Sequence, residues 1–418
     1  MIRIAQVLLS VTGFAGLLAA LAGQQPEAGQ ANVSLELLNF DRQGKLLEAD
    51  EDRLEKISER FRKKPPSHVF VMSHGWNNSQ ESARKSYEKM LDEMRQLADA
   101  YKLRPAGAAY RPAVIGLHWP SLAFENDEDL AAALLSRLSD KNARRLRFLV
   151  KLSYGADDLR PFLNQQMSPD NVLKAFALAR LYLDDELAVP AGANAPDLRV
   201  LDEKDVATVL QAARVFTFWS MKKRAGTVGE NGARRVLMEL QAAAPHAQYH
   251  LVGHSFGCKV LLSALSGDAA LVRPVDSLVL LQGAISTQSF ADEVVIRDRP
   301  MQGGYYVVAA KGRVRGPIVA TFSERDLALK WAYPAASQAA GQVAELEVGL
   351  RHLKEPAYRG MGAWGIEGIA PILARKASES YSFKNGLNSV DATDAIRGHS
   401  EVLTPAIARI IWSAMLSR

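Results

Sequence analysis

Apolar residues recur along this chain in two alternating rhythms. The first is short and nearly continuous. While Val33–Phe40 reads as a strand with polar residues interleaved, His68–Met72, Ala113–Leu117, Tyr249–Val252, Ser277–Leu281 and Pro317–Phe322 each hold four to six mostly apolar residues with little polar alternation. Such runs predict strands buried on both faces, as in a parallel sheet. The second rhythm repeats every three to four residues. Leu54, Ile57 and Phe61 set it within Asp50–Lys64, and it returns over Ser79–Leu103, Gly232–Ala243, Cys258–Leu265 and Pro405–Leu416. These stretches predict helices. Asp41–Gly44 reads as the turn after the first strand, and Pro65-Pro66 stops the first helix.

Strands alternating with helices imply an α/β fold, a doubly wound and mostly parallel sheet with helices on both faces. The alternation lapses between Pro120 and Arg214. Glu128–Leu138, Ala143–Leu152 and Asp170–Asp184 have helical spacing, Val189–Pro196 is a proline- and alanine-rich break, and no strand is evident. Residues 120–214 are therefore expected as a helical insertion, which either covers a site as a lid or enlarges the core. The rest of 33–418 reads as one domain. The N-terminus has its own pattern. Arg3 precedes an almost uncharged apolar stretch, Ile4–Ala22, which ends in Ala20-Leu21-Ala22 and turns polar at Gln24-Gln25. Residues 1–22 are expected to be a secretory signal peptide or a membrane anchor. The protein is then exported, to a periplasm or beyond, or held at a membrane by this segment. A buried N-terminal helix of a cytoplasmic protein is the alternative.

Composition narrows the partners. The 418 residues are 48% apolar and 23% charged, ordinary for a globular chain. With 51 basic residues against 46 acidic ones the net charge is +5 and there is no long basic run, so no nucleic-acid partner is expected. One cysteine, Cys258, excludes an internal disulfide and any CxxC pair. It reads as a packing residue. Gly226–Gly232 lacks the spacing of a nucleotide-binding loop and is expected to be a loop and helix start, with Met221–Arg224 a solvated helix end. No metal and no organic cofactor is expected.

The chemistry gathers around Gly253-His254-Ser255-Phe256-Gly257, a GxSxG pattern between the strand Tyr249–Val252 and the helix starting at Cys258. A serine on a sharp strand-to-helix turn has its hydroxyl exposed at the carboxyl end of the sheet. The helix that follows aims its first amides at the same place. Serine is a weak nucleophile at neutral pH and needs a base, itself oriented by a third group. Only His352 and His399 follow Ser255 in the chain. His399 sits just before the last helix and is the expected base; His352 lies in a helical run and is the alternative. Asp326, after the strand Pro317–Phe322, is the expected acid, with Glu324 and Asp292 as alternatives. Acyl chemistry also needs donors for an oxyanion. The Phe256 amide is one. The other is expected in His74-Gly75-Trp76, which follows the strand ending at Met72: the Trp76 amide, or that of Gly75. His74 itself is expected to orient this loop rather than to act as a second base.

Together these residues resemble the α/β-hydrolase superfamily from Val33 to about Ser417. They are most similar to poorly characterised bacterial and fungal hydrolase-like proteins with an HGWxN loop, a GHSFG elbow, an SxxD acid motif and a late GxHS histidine motif. Here these stand at His74–Asn78, Gly253–Gly257, Ser323–Asp326 and Gly398–Ser400, the last departing in that Gly398 directly precedes His399. The resemblance implies a triad of Ser255, Asp326 and His399. The expected function is a serine hydrolase cleaving a carboxylic ester or related acyl bond of a small-molecule or lipid-like substrate. The rival readings are a non-catalytic binding or scaffold protein on the same fold, and an acyltransferase or peptidase on the same site.

Overall fold

Most of the apolar runs become neighbouring strands. The computed structural model describes residues 35–103, 110–122, 221–267, 271–296, 299–333 and 358–417. Its strands are β1 (Leu35–Asn39), β2 (His68–Ser73), β3 (Pro112–His118), β4 (Gln248–His254), β5 (Ser277–Leu281), β6 (Val294–Ile296), β7 (Arg299–Met301), β8 (Pro317–Phe322), β9 (Pro371–Leu373) and β10 (Gly386–Asp391). Strands β6 and β7 form an antiparallel hairpin. The other eight form one sheet in the order β1-β3-β2-β4-β5-β8-β10-β9, with every pairing parallel. The described part of the chain is thus α/β.

The helices are α1 (Glu48–Lys63), α2 (Gln80–Tyr101), α3 (Arg234–Ala243), α4 (Phe256–Ser266), α5 (Tyr306–Ala310), α6 (Met361–Trp364) and α7 (Pro405–Leu416). Helix α1 buries Leu54, Ile57 and Phe61, with Glu48, Asp50 and Glu51 in its first turn and Arg60, Arg62 and Lys63 in its last, which suits the helix dipole at both ends. Ser79 and Thr404 cap α2 and α7, their hydroxyls accepting from the Ser82 and Ile407 amides. Pro405 starts α7 where no amide hydrogen is needed.

Every residue of β2, β5 and β8 is buried. Alternate residues serve two layers. Val69, Val71, Leu251, Leu278, Leu280 and Ile318 join Leu54 of α1, Leu237 of α3 and Leu261 of α4 in one core. Phe70, Met72, Val252 and Val279, equally buried, alternate with them toward the opposite face. Helices α2 and α7 pack on each other, and the Trp412 indole of α7 donates to the Met94 carbonyl of α2 at 2.9 Å.

Two expectations change. The glycine-rich stretch is helix rather than loop: residues 221–228 are helical and run through a π-helical turn, Gly229–Ala233, into α3. Gly229 lies so close to α4 that a Cβ there would stand 2.3 Å from the Val260 carbonyl oxygen, so glycine here serves close helix packing. The basic cluster just before it is not a solvated end. Lys222 donates to the Tyr333 hydroxyl at 2.9 Å and Arg224 to the Pro120 carbonyl at 2.7 Å, while Lys223 is exposed. The N-terminal segment 1–22, the stretches within 123–220 expected as an insertion, and His352 lie outside the described residues. Leu35–Arg418 forms one compact unit. No helix among the described residues is long and apolar enough to cross a membrane.

Candidate active site

The strand order itself picks out a place. From β2 the chain steps to β3 on one side, and from β4 it steps to β5 on the other, although β2 and β4 are neighbours. A crevice opens at the carboxyl ends of strands where the winding reverses in this way. The loop after β2 carries His74-Gly75-Trp76, and the turn after β4 carries Ser255.

Ser255 has φ 55° and ψ −121°, a conformation that a residue with a side chain seldom adopts. Its neighbours hold it there. The Ser255 amide donates to the Leu281 carbonyl at 3.0 Å, and the Ser255 carbonyl accepts from Cys258 at 3.1 Å and Ala284 at 3.2 Å. The flanking glycines permit the fit. A Cβ on Gly257 would stand 2.1 Å from the Ser73 carbonyl oxygen, and one on Gly75 would stand 2.8 Å from the Ser255 Cβ. The elbow and the β2 loop therefore touch through backbone. Cys258 is buried behind them with its thiol on the Gly253 carbonyl at 3.2 Å, and burial raises the thiol pKa.

His399 lies between Ser255 and Asp326. Its Nε2 is 2.8 Å from the Ser255 Oγ, and its Nδ1 donates to the Asp326 Oδ2 at 2.7 Å. Since the carboxylate can only accept, the neutral ring carries its proton on Nδ1 and accepts from the serine hydroxyl through Nε2. Asp326 is fully buried. Its Oδ1 accepts from the Leu329 amide at 3.0 Å, and its Oδ2 also accepts from the Gln282 side chain at 3.0 Å. The loops bearing the acid and the histidine are tied together: Ser323 Oγ donates to the Ile396 carbonyl at 2.7 Å, and the Glu324 amide to Thr393 Oγ1 at 3.1 Å. The alternative acids stand elsewhere. Glu324 is exposed, and Asp292 is exposed beside Gln302 in the β6–β7 region.

His74 is buried and both its ring nitrogens are engaged. Nδ1 donates to the Gly75 carbonyl at 2.7 Å, Nε2 accepts from the Trp119 amide at 3.3 Å, and the ring stacks on the Trp119 indole. Burial pulls its pKa down to about 3, so it stays neutral and fixes the loop. The Asn78 side chain donates to the Gly75 and Trp76 carbonyls at 3.2 and 3.0 Å. With the Gly75 carbonyl turned to His74 and Asn78, the trans peptide sends the Trp76 N–H the opposite way. The Trp76 ring leans on that of Phe256, 6.2 Å between centroids.

Two residues escaped the sequence reading. His254, the variable residue of GxSxG, donates from Nε2 to the His399 backbone carbonyl at 2.9 Å; burial is the main cause of a pKa lowered to about 4. Gln282 follows β5 directly and reaches the acid. In sequence it is a polar residue after an apolar run, the usual mark of a strand simply ending. Among the described residues no group of acidic, histidine or cysteine side chains is placed to hold a metal ion. Comparison with models of protein families, with curated proteins and with solved structures found no match for this chain.

Proposed function

We propose that this protein is a serine hydrolase of the α/β-hydrolase fold that cleaves a carboxylic ester, or a related acyl bond, through an acyl-enzyme. The observation that carries the reading is the continuous chain Ser255 Oγ, His399 Nε2, His399 Nδ1, Asp326 Oδ2, with links of 2.8 and 2.7 Å, mounted on a strained strand-to-helix turn. In this reading Ser255 Oγ attacks the acyl carbonyl as its proton passes to His399 Nε2. Asp326 holds the ring and stabilises the imidazolium that results. The oxyanion is received by the amides of Phe256 and Trp76, with Gly75 as the alternative to Trp76. The tetrahedral intermediate collapses, the leaving alcohol takes the proton from Nε2, and the acyl group stays on Ser255. Water then attacks with His399 again as base, releasing the acid and the free serine. A buried acid hydrogen-bonded to the histidine and a nucleophile held at positive φ support hydrolysis over a scaffold role, because backbone strain of this kind gathers at functional sites.

The substrate is a small-molecule or lipid-like acyl compound. The apolar stretch Ile4–Ala22 supports an exported or membrane-held setting, with a cytoplasmic one as the alternative. The test is hydrolysis of a panel of aryl esters of increasing acyl length by wild type and Ser255→Ala. Wild type is expected to release an initial burst of the aryl alcohol equal to the enzyme present, and Ser255→Ala none. Absence of turnover and burst across the panel, from folded wild type, contradicts the reading.

A further inference from the structure

Gln282 is buried to 0% exposure in an unusual backbone conformation, φ 48°, immediately after β5. Non-glycine residues enter this left-handed region at a cost and persist there when the surroundings hold them. Here the backbone amide and both polar atoms of the side chain are held. Its amide donates to Thr321 Oγ1 at 3.2 Å, and its Oε1 accepts from the same hydroxyl at 3.1 Å. Its Nε2 donates one hydrogen to the Gly362 carbonyl at 2.7 Å and the other to Asp326 Oδ2 at 3.0 Å. The side-chain amide can lie only one way round, since reversing it would set Oε1 against two acceptors. Gly362 also packs flat against the Gln282 backbone, where a Cβ would stand 2.4 Å from the Gln282 carbonyl carbon. Strand β5, strand β8 and the start of α6 thus clamp one amide so that it points at the carboxylate.

We propose that Gln282 is a positioning residue of the acid arm: its side-chain amide fixes the Asp326 carboxylate and shares with His399 the oxygen that orients the base. This rests on the serine-hydrolase reading. Asp326 Oδ2 accepts from Gln282 Nε2 and from His399 Nδ1 together. Without the amide, the carboxylate is freer to turn and puts more of its charge on His399. Two effects follow. The Ser255–His399 pair is less often aligned, which lowers reactivity at every pH. The base also holds its proton to higher pH, which moves the acid side of the profile upward. Among the described residues His254 also packs on His399; burial holds it neutral above about pH 4, so it does not titrate in this range.

The experiment is the rate of fluorophosphonate labelling from pH 5 to 9 for wild type, Ser255→Ala, Gln282→Met and Gln282→Glu, with thermal unfolding of each. Gln282→Met keeps the side-chain length and removes the donors. Its plateau rate is expected to fall about 10- to 100-fold, the worth of a hydrogen bond to a charged group. The pH of half-maximal labelling is expected to rise by about half a unit. In Gln282→Glu the introduced carboxyl group, set against Asp326, retains a proton near neutrality and donates in the amide's place. It is expected to label faster than Gln282→Met at pH 6, and to lose that advantage as the pH rises and the carboxyl ionises. Labelling of Gln282→Met with the wild-type rate and profile overturns the proposal. So does a lowered melting temperature with an unmoved pH midpoint and no advantage of Gln282→Glu, which marks a purely structural residue. If Gln282→Met does not fold, the pH-dependent contrast of Gln282→Glu with wild type decides alone. Failure of wild type itself to label, while folded, overturns the serine-hydrolase reading and is thereby distinct.

Discussion

The sheet carries a close serine–histidine pair at each end, and the two differ in all but distance. At the carboxyl end, Ser255 Oγ lies 2.8 Å from His399 Nε2. At the amino end, Ser277 Oγ lies 2.8 Å from His250 Nδ1, and the other nitrogen of His250 lies 3.0 Å from His68 Nδ1. Strands β2 and β4 serve both ends: His68 and His250 lie toward their starts, His74 and His254 at their finish. Behind His399 stands a buried carboxylate held by two further donors; behind His250 stands another histidine. Ser255 sits at positive φ on a turn, whereas Ser277 is an ordinary buried strand residue paired in register with His250. A short serine–histidine contact is therefore not in itself an activated nucleophile. The acid, the strained turn and the position at the reversal of the winding separate the two.

The largest expected effect removes the acid from the better-equipped end. Asp326→Asn leaves the shape intact but presents an amide to His399 Nδ1, which favours the wrong tautomer; labelling of Ser255 is expected to slow by about 10³- to 10⁴-fold. A loss under tenfold would make the two ends more alike than this account allows.

A smaller effect should be shared by both ends. His74 and His254 have pKa values lowered to about 3 and about 4, and His250 is pushed well below its usual value, in each case chiefly by burial. An unfolded histidine takes up a proton near pH 6.5, and these take it up in the fold only at much lower pH. Between those values the unfolded chain binds more protons, so stability is complete above about pH 6.5 and declines as the pH falls toward 4. Each histidine contributes a slope of up to about 1.4 kcal/mol per pH unit. Denaturant titrations from pH 7.5 to 4.5 should show the decline, and His250→Phe should shallow it without altering the labelling of Ser255 above pH 7. A flat profile contradicts the assignment of neutral buried rings.

The smallest effect belongs to Ser277. Ser277→Ala removes one hydrogen bond at the amino end and is expected to cost about 1 kcal/mol of stability. Ester hydrolysis is expected to change less than twofold. A large loss of activity would show that the two ends are coupled.

Much of this contrast was legible in the residues. Ser277–Leu281, Pro317–Phe322 and Pro405–Leu416 have the bounds their apolar patterns imply, because a run buried on both faces and a proline-started amphipathic stretch leave little choice of register. Ser255 and Asp326, picked from strand ends and chain order, both lie within hydrogen-bond reach of His399. Strand β10 was not legible. Gly386-Leu387-Asn388-Ser389-Val390-Asp391 is too polar to read as a buried strand, yet Asn388 and Ser389 are buried, with the Asn388 amide turned back on the Lys384 and Gly386 carbonyls. What makes the segment a strand is its parallel pairing with β8, far away in the chain, which leaves no mark on spacing. Gln282 escaped for the same reason. Its role comes from Thr321, Asp326 and Gly362, all distant in sequence, and only the assembled sheet brings them to it.

The most direct test is to map the covalent adduct. Full-length protein is treated with a fluorophosphonate at pH 8, digested, and its modified residue found by mass spectrometry, in parallel with Ser255→Ala and His399→Ala. The account predicts one adduct per chain, on Ser255, absent from both variants, with Ser277 unmodified throughout. A folded wild type that carries no adduct, or carries it on a serine other than Ser255, would contradict it.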